Sequence, residues 1–150
     1  MKTLLLAIQA ALRAEMAGVR EADIYITPHE NYIPPGVKAP AIGIKDGAVR
    51  VMEKAGMSQE TRIQVSFVVW VEFFQGEESI IGRANQDGVL DICSDLHGVL
   101  AGDTLGVTGV IWARPVSETA SEMFGDGSRG LQRKIITYEY EREENLWGSY

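Results

Sequence analysis

The sequence predicts an α+β fold: two layers, a mostly antiparallel sheet with two helices packed on one face. Three observations predict it. Residues 60 to 74 alternate, with Ile63, Val65, Phe67, Val69, Val71 and Phe73 forming an unbroken apolar set. Two other segments carry apolar residues at helical spacing, each with a single stripe. The remaining periodic segments are short, and close connections between them pair most simply as a meander.

The first helix is expected over residues 3 to 17. Leu5, Ile8, Leu12 and Met16 lie three and four apart, alanines raise helix propensity, and Gly18 is a stop. Residues 1 to 7 look briefly like a signal peptide, but Gln9 and Arg13 interrupt the apolar run, so the segment is expected to belong to the folded protein. Residues 23 to 27 form a short strand ended by Pro28. Residues 28 to 38, with Pro34-Pro35-Gly36 inside, form an extended loop. Strands at 40 to 45 and 48 to 53 are expected to meet in a hairpin across Asp46-Gly47. The strand through residues 61 to 74 comes next and is the centre of the sheet.

Between residues 78 and 100 the period becomes helical. Ile81, Val89, Ile92, Cys93, Leu96, Val99 and Leu100 share one side, while Asp87, Asp91 and Asp95 share another. A strand over 107 to 114 is expected to stop at Pro115. Residues 117 to 130 read as a loop or long hairpin tip. Residues 131 to 142 alternate again, and the last eight residues are expected to fray. No repeat or composition break divides the 150 residues, so one domain, 1 to 150, is expected.

Bulk composition narrows the function classes. The chain is 45% hydrophobic and 23% charged, an ordinary globular balance. Its net charge of -7 and the absence of a basic run disfavour nucleic acid and anionic membrane surfaces as partners. The single cysteine, Cys93, cannot form an internal disulfide. No stretch approaches the ~20 apolar residues of a membrane span, and the chain is cytoplasmic in character.

Motifs for chemistry do not survive inspection. Residues 125 to 130 match G-x-G-x-x-G, but the dinucleotide motif needs a strand before it and a helix after it. Cys93 and His97 stand four apart, the spacing of a nucleophile and base on one helix face. Cys93 nevertheless falls on the buried stripe, with nothing placed to orient the imidazole. The Asp87, Asp91, Asp95 ladder fits a solvated helix face or a patch for a basic partner better than a metal site. His29-Glu30 lacks the spacing of a zinc motif. No catalytic, cofactor-binding or metal-ligating residue is therefore assigned, and no cofactor is expected.

What remains is apolar material without an obvious core. Val68, Trp70 and Phe74 occupy the sheet face opposite the helices. Tyr32, Ile33, Pro34 and Val37 make the first long loop apolar, and Met123 and Phe124 stand in a polar excursion. Grouped apolar side chains on an open sheet face point to an interface with copies or other proteins. Trp70 in particular is expected to be an interface residue and not a core residue. The alternative is that the loops fold back and bury that face within the monomer.

The layout resembles the tail-terminator proteins of long-tailed bacteriophages, of the minor tail protein U type, and related prophage tail-completion proteins. The resemblance is carried by the opening helix at Leu4-Leu5-Leu6-Ala7-Ile8 and the proline-containing approach to a strand at Ala39-Pro40-Ala41-Ile42-Gly43-Ile44. It is carried equally by the long strand from Arg62 to Val69, the helix at Asp91-Ile92-Cys93-Ser94-Asp95-Leu96 and the closing strand from Arg133 to Tyr140. It implies a non-enzymatic structural protein that forms a ring, usually a hexamer, on the head-proximal end of the tail tube. Such a ring ends tube growth and presents a surface for head joining. Its implied partners are copies of itself, the tail tube protein and a head-tail connector protein. Its implied location is the host cytoplasm during assembly and then the virion tail. A head-tail connector, neck or tail-tube protein, or a small-ligand-binding α+β domain, are the alternatives.

Overall fold

The centre of the molecule is β3 (Ser58–Glu72), flanked by one strand of equal length and one almost as long. The computed structural model describes residues 1–53, 58–73, 76–84, 86–124 and 130–145. On one side β3 pairs antiparallel with β2 (Ala41–Glu53), and on the other with β6 (Leu131–Asn145). Outside these lie β1 (Ile24–Ile26), β4 (Val110–Glu118) and β5 (Glu122–Phe124), giving the order β1-β2-β3-β6-β4 with β5 also on β6. The predicted α+β class and the central strand both hold.

The connections are not those of a meander. β1 runs parallel to β2, and β6, last in sequence, inserts between β3 and β4. Long strands with one apolar face gain most from a central place. The alternation of Ile136, Tyr138 and Tyr140 puts β6 beside Phe67, Val65 and Ile63.

The expected hairpin at Asp46-Gly47 is a β-bulge instead, and β2 continues through it to Glu53. At Gly47 the backbone approaches β3 so closely that a Cβ would stand 2.6 Å from the Gln64 carbonyl oxygen. Asp-Gly here therefore marks a kink within a strand and not a reversal. Pro115 likewise fails to end β4. β4 is an edge strand, and a proline whose missing N–H points away from the sheet is tolerated there. The polar excursion after it contains β5. Residues 125–129 of the G-x-G-x-x-G stretch lie outside the described residues, as do Phe74 and residues 146–150.

The helices are α1 (Lys2–Glu15), the short α2 (Glu77–Ile81) and α3 (Val89–Leu100). The single helix expected over 78 to 100 is thus two. Gly82 takes a φ of +79°, and at Gly88 a Cβ would collide with the backbone of Gly82 and Ile80. The chain doubles back between these glycines, and the Asp91 carboxylate accepts the Gly88 N–H at 2.9 Å to start α3. Ile81 consequently faces solvent, outside the predicted stripe. Asp91 is a helix-start group, separate in role from the exposed Asp95.

Leu4, Leu5, Ile8, Leu12 and Met16 from α1 and its end, with Val89, Ile92, Cys93, Leu96 and Leu100 from α3, cover one sheet face. They meet Ile63, Val65, Phe67, Val69 and Val71 of β3. Each such side chain contributes roughly 1.5–3 kcal/mol on burial. This is the main core. Among the described residues no helix is long and apolar enough to cross a membrane.

Candidate assembly interface

The face of the sheet opposite the helices has two unlike halves. At one end Val68 and Trp70 of β3, Ala41 of β2 and Tyr25 of β1 form a second, smaller buried cluster. Ile33, Val37, Phe124, Leu131 and Ile135 pack against it. The segment 28–38 lies over this end as a strap, joined by β5. Trp70 is 0% exposed, so the expectation that it lies open to a partner is corrected. Strand alternation does place it away from the helices, but the loops fold back and bury it within the subunit. Val68 is buried with it. Phe124, Ile33, Pro34 and Val37 are half-buried in the cover, whereas Tyr32 and Met123 are exposed at 46% and 51%.

Sequence reasoning missed the residue that holds the cover down. Arg133 on β6 is opposite Trp70 in the register and shares its face. Its guanidinium donates to Glu122 of β5, through Nε at 3.1 Å and through Nη2, and through Nη1 to the Asn31 side-chain oxygen of the strap. It also lies 5.5 Å from the centre of the Trp70 ring and 4.9 Å from that of Phe124, which themselves meet edge to face. A charged residue in an alternating strand reads as a solvent-side position. Only the folded-back strap makes it a clamp.

The far end of the strap is tied by Asp23. Its carboxylate takes the Lys38 N–H at 3.0 Å and the Arg20 guanidinium at 2.7 and 3.0 Å. Burial opposes ionisation of Asp23, but Arg20 and the Lys38 N–H outweigh it and hold the carboxyl below the usual range. The Tyr25 hydroxyl donates to the Tyr32 carbonyl under the strap, and burial pushes its pKa up to about 12. Beside these ties remains an open hollow of about 260 Å³ lined by Ile33, Val37, Trp70 and Leu131, with Lys38 and Glu72 at its border.

The other half of this face is polar. Arg62 meets Glu60 at 3.0 Å and Glu139 at 4.0 Å, and Arg114 reaches Glu139 at 3.8 Å while lying over Trp112. Ser66 and Thr137 share a hydroxyl hydrogen bond across β3 and β6.

Cys93 and His97 do not form a reactive pair. Burial raises the Cys93 thiol to about 12, so the thiolate is disfavoured. Both ring nitrogens of His97 are engaged elsewhere, Nδ1 with the Tyr138 hydroxyl at 2.5 Å and Nε2 with the Glu118 carboxylate. Burial disfavours the Glu118 anion, yet His97 and Lys134 (3.2 Å) together hold it below the ordinary range. The imidazole ties α3 to β4 and β6. Tyr138 is fully buried, with its hydroxyl raised to about 12 chiefly by burial, so it offers no accessible nucleophile. Among the described residues no three ligating side chains converge on a metal position.

No family model matches the chain, and no curated protein matches it. Among solved structures, it is similar to a chain from the virion of a native gene transfer agent (GTA) particle. The TM-score is 0.54 at 16% sequence identity, with 94% of this chain and 95% of that chain covered. The likeness is one of fold. It covers nearly the whole of both chains.

Proposed function

We propose that this chain is a structural protein of a phage-type virion, and within that class a tail terminator. It forms a closed ring, expected to be a hexamer, that caps the tail tube, ends its polymerisation and offers the head-side joining surface. The observation that carries this reading is the end-to-end fold similarity to a chain of a virion particle. The opening helix, long central strand, following helix and closing strand, in the order of the resemblance drawn from the sequence, support it. Partners on this reading are further copies, a tail tube protein and a head-tail connector protein, met in the host cytoplasm and retained in the virion tail. The strap and β5, which display Tyr32, Ile33, Pro34, Val37, Met123 and Phe124, form the surface offered to a neighbour, with Trp70 and Val68 as its buried support. A ring built head to tail closes only if the rotation between copies closes.

The test is the assembly state. The purified chain should give one discrete ring by native mass spectrometry, and adding it to polymerising tail tube protein from the same genome should shorten the tubes. A connector or neck protein would form the ring without shortening tubes, and a tube protein would itself grow into long tubes. A chain that stays monomeric at high concentration and leaves tube length unchanged sinks the terminator reading.

A further inference from the structure

One carboxylate outside the cover joins three elements. Glu118 ends β4 and lies opposite Ile136 in the ladder, so its side chain turns to the helix side of the sheet. Its Oε1 accepts from Nε2 of His97, in the last turn of α3, and its Oε2 lies 3.2 Å from Nζ of Lys134 on β6. The titratable and charged groups that face it are His97 and Cys93 from α3 and Lys134 and Tyr138 from β6.

The donor and acceptor inventory sets the roles. An ionised carboxylate only accepts, so His97 carries a proton on Nε2. With the ring neutral, Nδ1 accepts the Tyr138 O–H at 2.5 Å and both ring nitrogens are satisfied. With the ring charged, Nδ1–H donates to the Tyr138 oxygen, and the phenolic proton must turn elsewhere around a side chain that is 0% exposed. A charged His97 therefore depends on the Glu118 anion for compensation. So does Lys134, which is itself largely buried. One carboxylate thus serves two bases. Protonating it in acid, where imidazole and ammonium are both cationic, leaves two like charges around a group that offsets neither.

We propose that Glu118 is the pin of an acid-released latch: ionised, it fastens the last turn of α3 to β4 and β6, and on protonation it lets that joint open. The device is independent of the virion reading. Opening is local, because Leu96 and Leu100 keep α3 anchored in the core. Burial opposes the Glu118 anion, but His97 and Lys134 outweigh it and hold the carboxyl below its usual range. The latch is therefore complete above the unfolded value of about 4.3 and is lost as pH falls through the folded one.

Two amides report on the joint. The Ala101 N–H donates to the His97 carbonyl at 3.0 Å, and the Thr119 N–H, next to Glu118, donates to the Ile135 carbonyl at 2.9 Å. Protection of both against hydrogen exchange, corrected for intrinsic rates, should fall roughly tenfold between about pH 6 and 3. The His97 ring nitrogen shifts should move at the same pH as the Glu118 carboxyl carbon. Glu118→Gln offers one oxygen to two donors and no charge, so it should show the lowered protection already at about pH 6, with no further acid step. Wild-type protection that stays constant over this range overturns the latch. So does a Glu118→Gln variant that keeps the wild-type protection and its acid step. Protection lost at the same pH by Val65 and Phe67 in the core would assign the change to global unfolding and overturns it as well.

Discussion

At the scale of single residues, Trp70 and Asp23 show how position on a strand differs from exposure. Alternation from Val69 and Val71 sends Trp70 to the face without helices, and that inference holds. Whether that face is wet depends on residues 28–38, far away in the ladder. Because Trp70 is fully buried, Trp70→Ala should destabilise the subunit by about 3–5 kcal/mol, measured by urea unfolding. A loss below about 1 kcal/mol would mean that the strap does not bury it in solution. Asp23 gives a pH prediction with a definite sign. Its carboxyl is lowered in the folded state, so the stability it contributes is complete above the unfolded value of about 3.9 and is lost as pH falls through the folded one. Amide exchange at Lys38 should therefore accelerate only below about pH 4, and Asp23→Asn should remove that dependence. Exchange that changes between pH 5 and 7 would assign it to another group.

At the scale of elements, the strap and β5 are held by few ties, and one side chain serves both. Arg133→Ala removes the hydrogen bonds to Asn31 and Glu122 together with the stacking on Trp70 and Phe124. The expected cost is about 1–3 kcal/mol, with faster amide exchange confined to residues 28–38 and 122–124. Arg133→Lys should recover only part of it, since an ammonium lacks the planar fork that reaches two partners at once. Uniform acceleration across the whole sheet would instead make Arg133 part of the global core. Assembly on the proposed surface should protect the same two segments further, so exchange compared between isolated subunit and ring separates this role from a purely internal one. Equal protection in both states would exclude the cover from the interface.

At the scale of the whole molecule, every copy carries a net charge of -7, so copies repel one another on approach. Screening weakens that repulsion over about 10 Å at 0.1 M salt. Self-association should therefore strengthen between about 0.02 and 0.3 M sodium chloride, with the screening length falling as salt rises; sedimentation velocity would follow it. Association that weakens over this range would show that direct ion pairs between copies dominate the contact.

The sequence by itself determined the fold class, the central strand and the core stripes of α1 and of α3, the latter without Ile81, because side-chain period is a local property. Ile63 to Phe73 and the Leu5, Ile8, Leu12, Met16 set needed no partner to be read. It could not decide the strand order. A parallel β1–β2 pair and a β6 inserted between β3 and β4 are long-range choices, made by which apolar faces fit together. Glycine and proline were legible as interruptions but not as to kind. Asp46-Gly47 became a bulge because β3 lies against it, Gly82 and Gly88 split a helix because the chain folds back there, and Pro115 stays in a strand because that strand is an edge. The candidate surface was half legible for the same reason. Its apolar residues stand out in the sequence, but which of them are cover and which are covered, and that Arg133 fastens the two, was decided only when distant segments met.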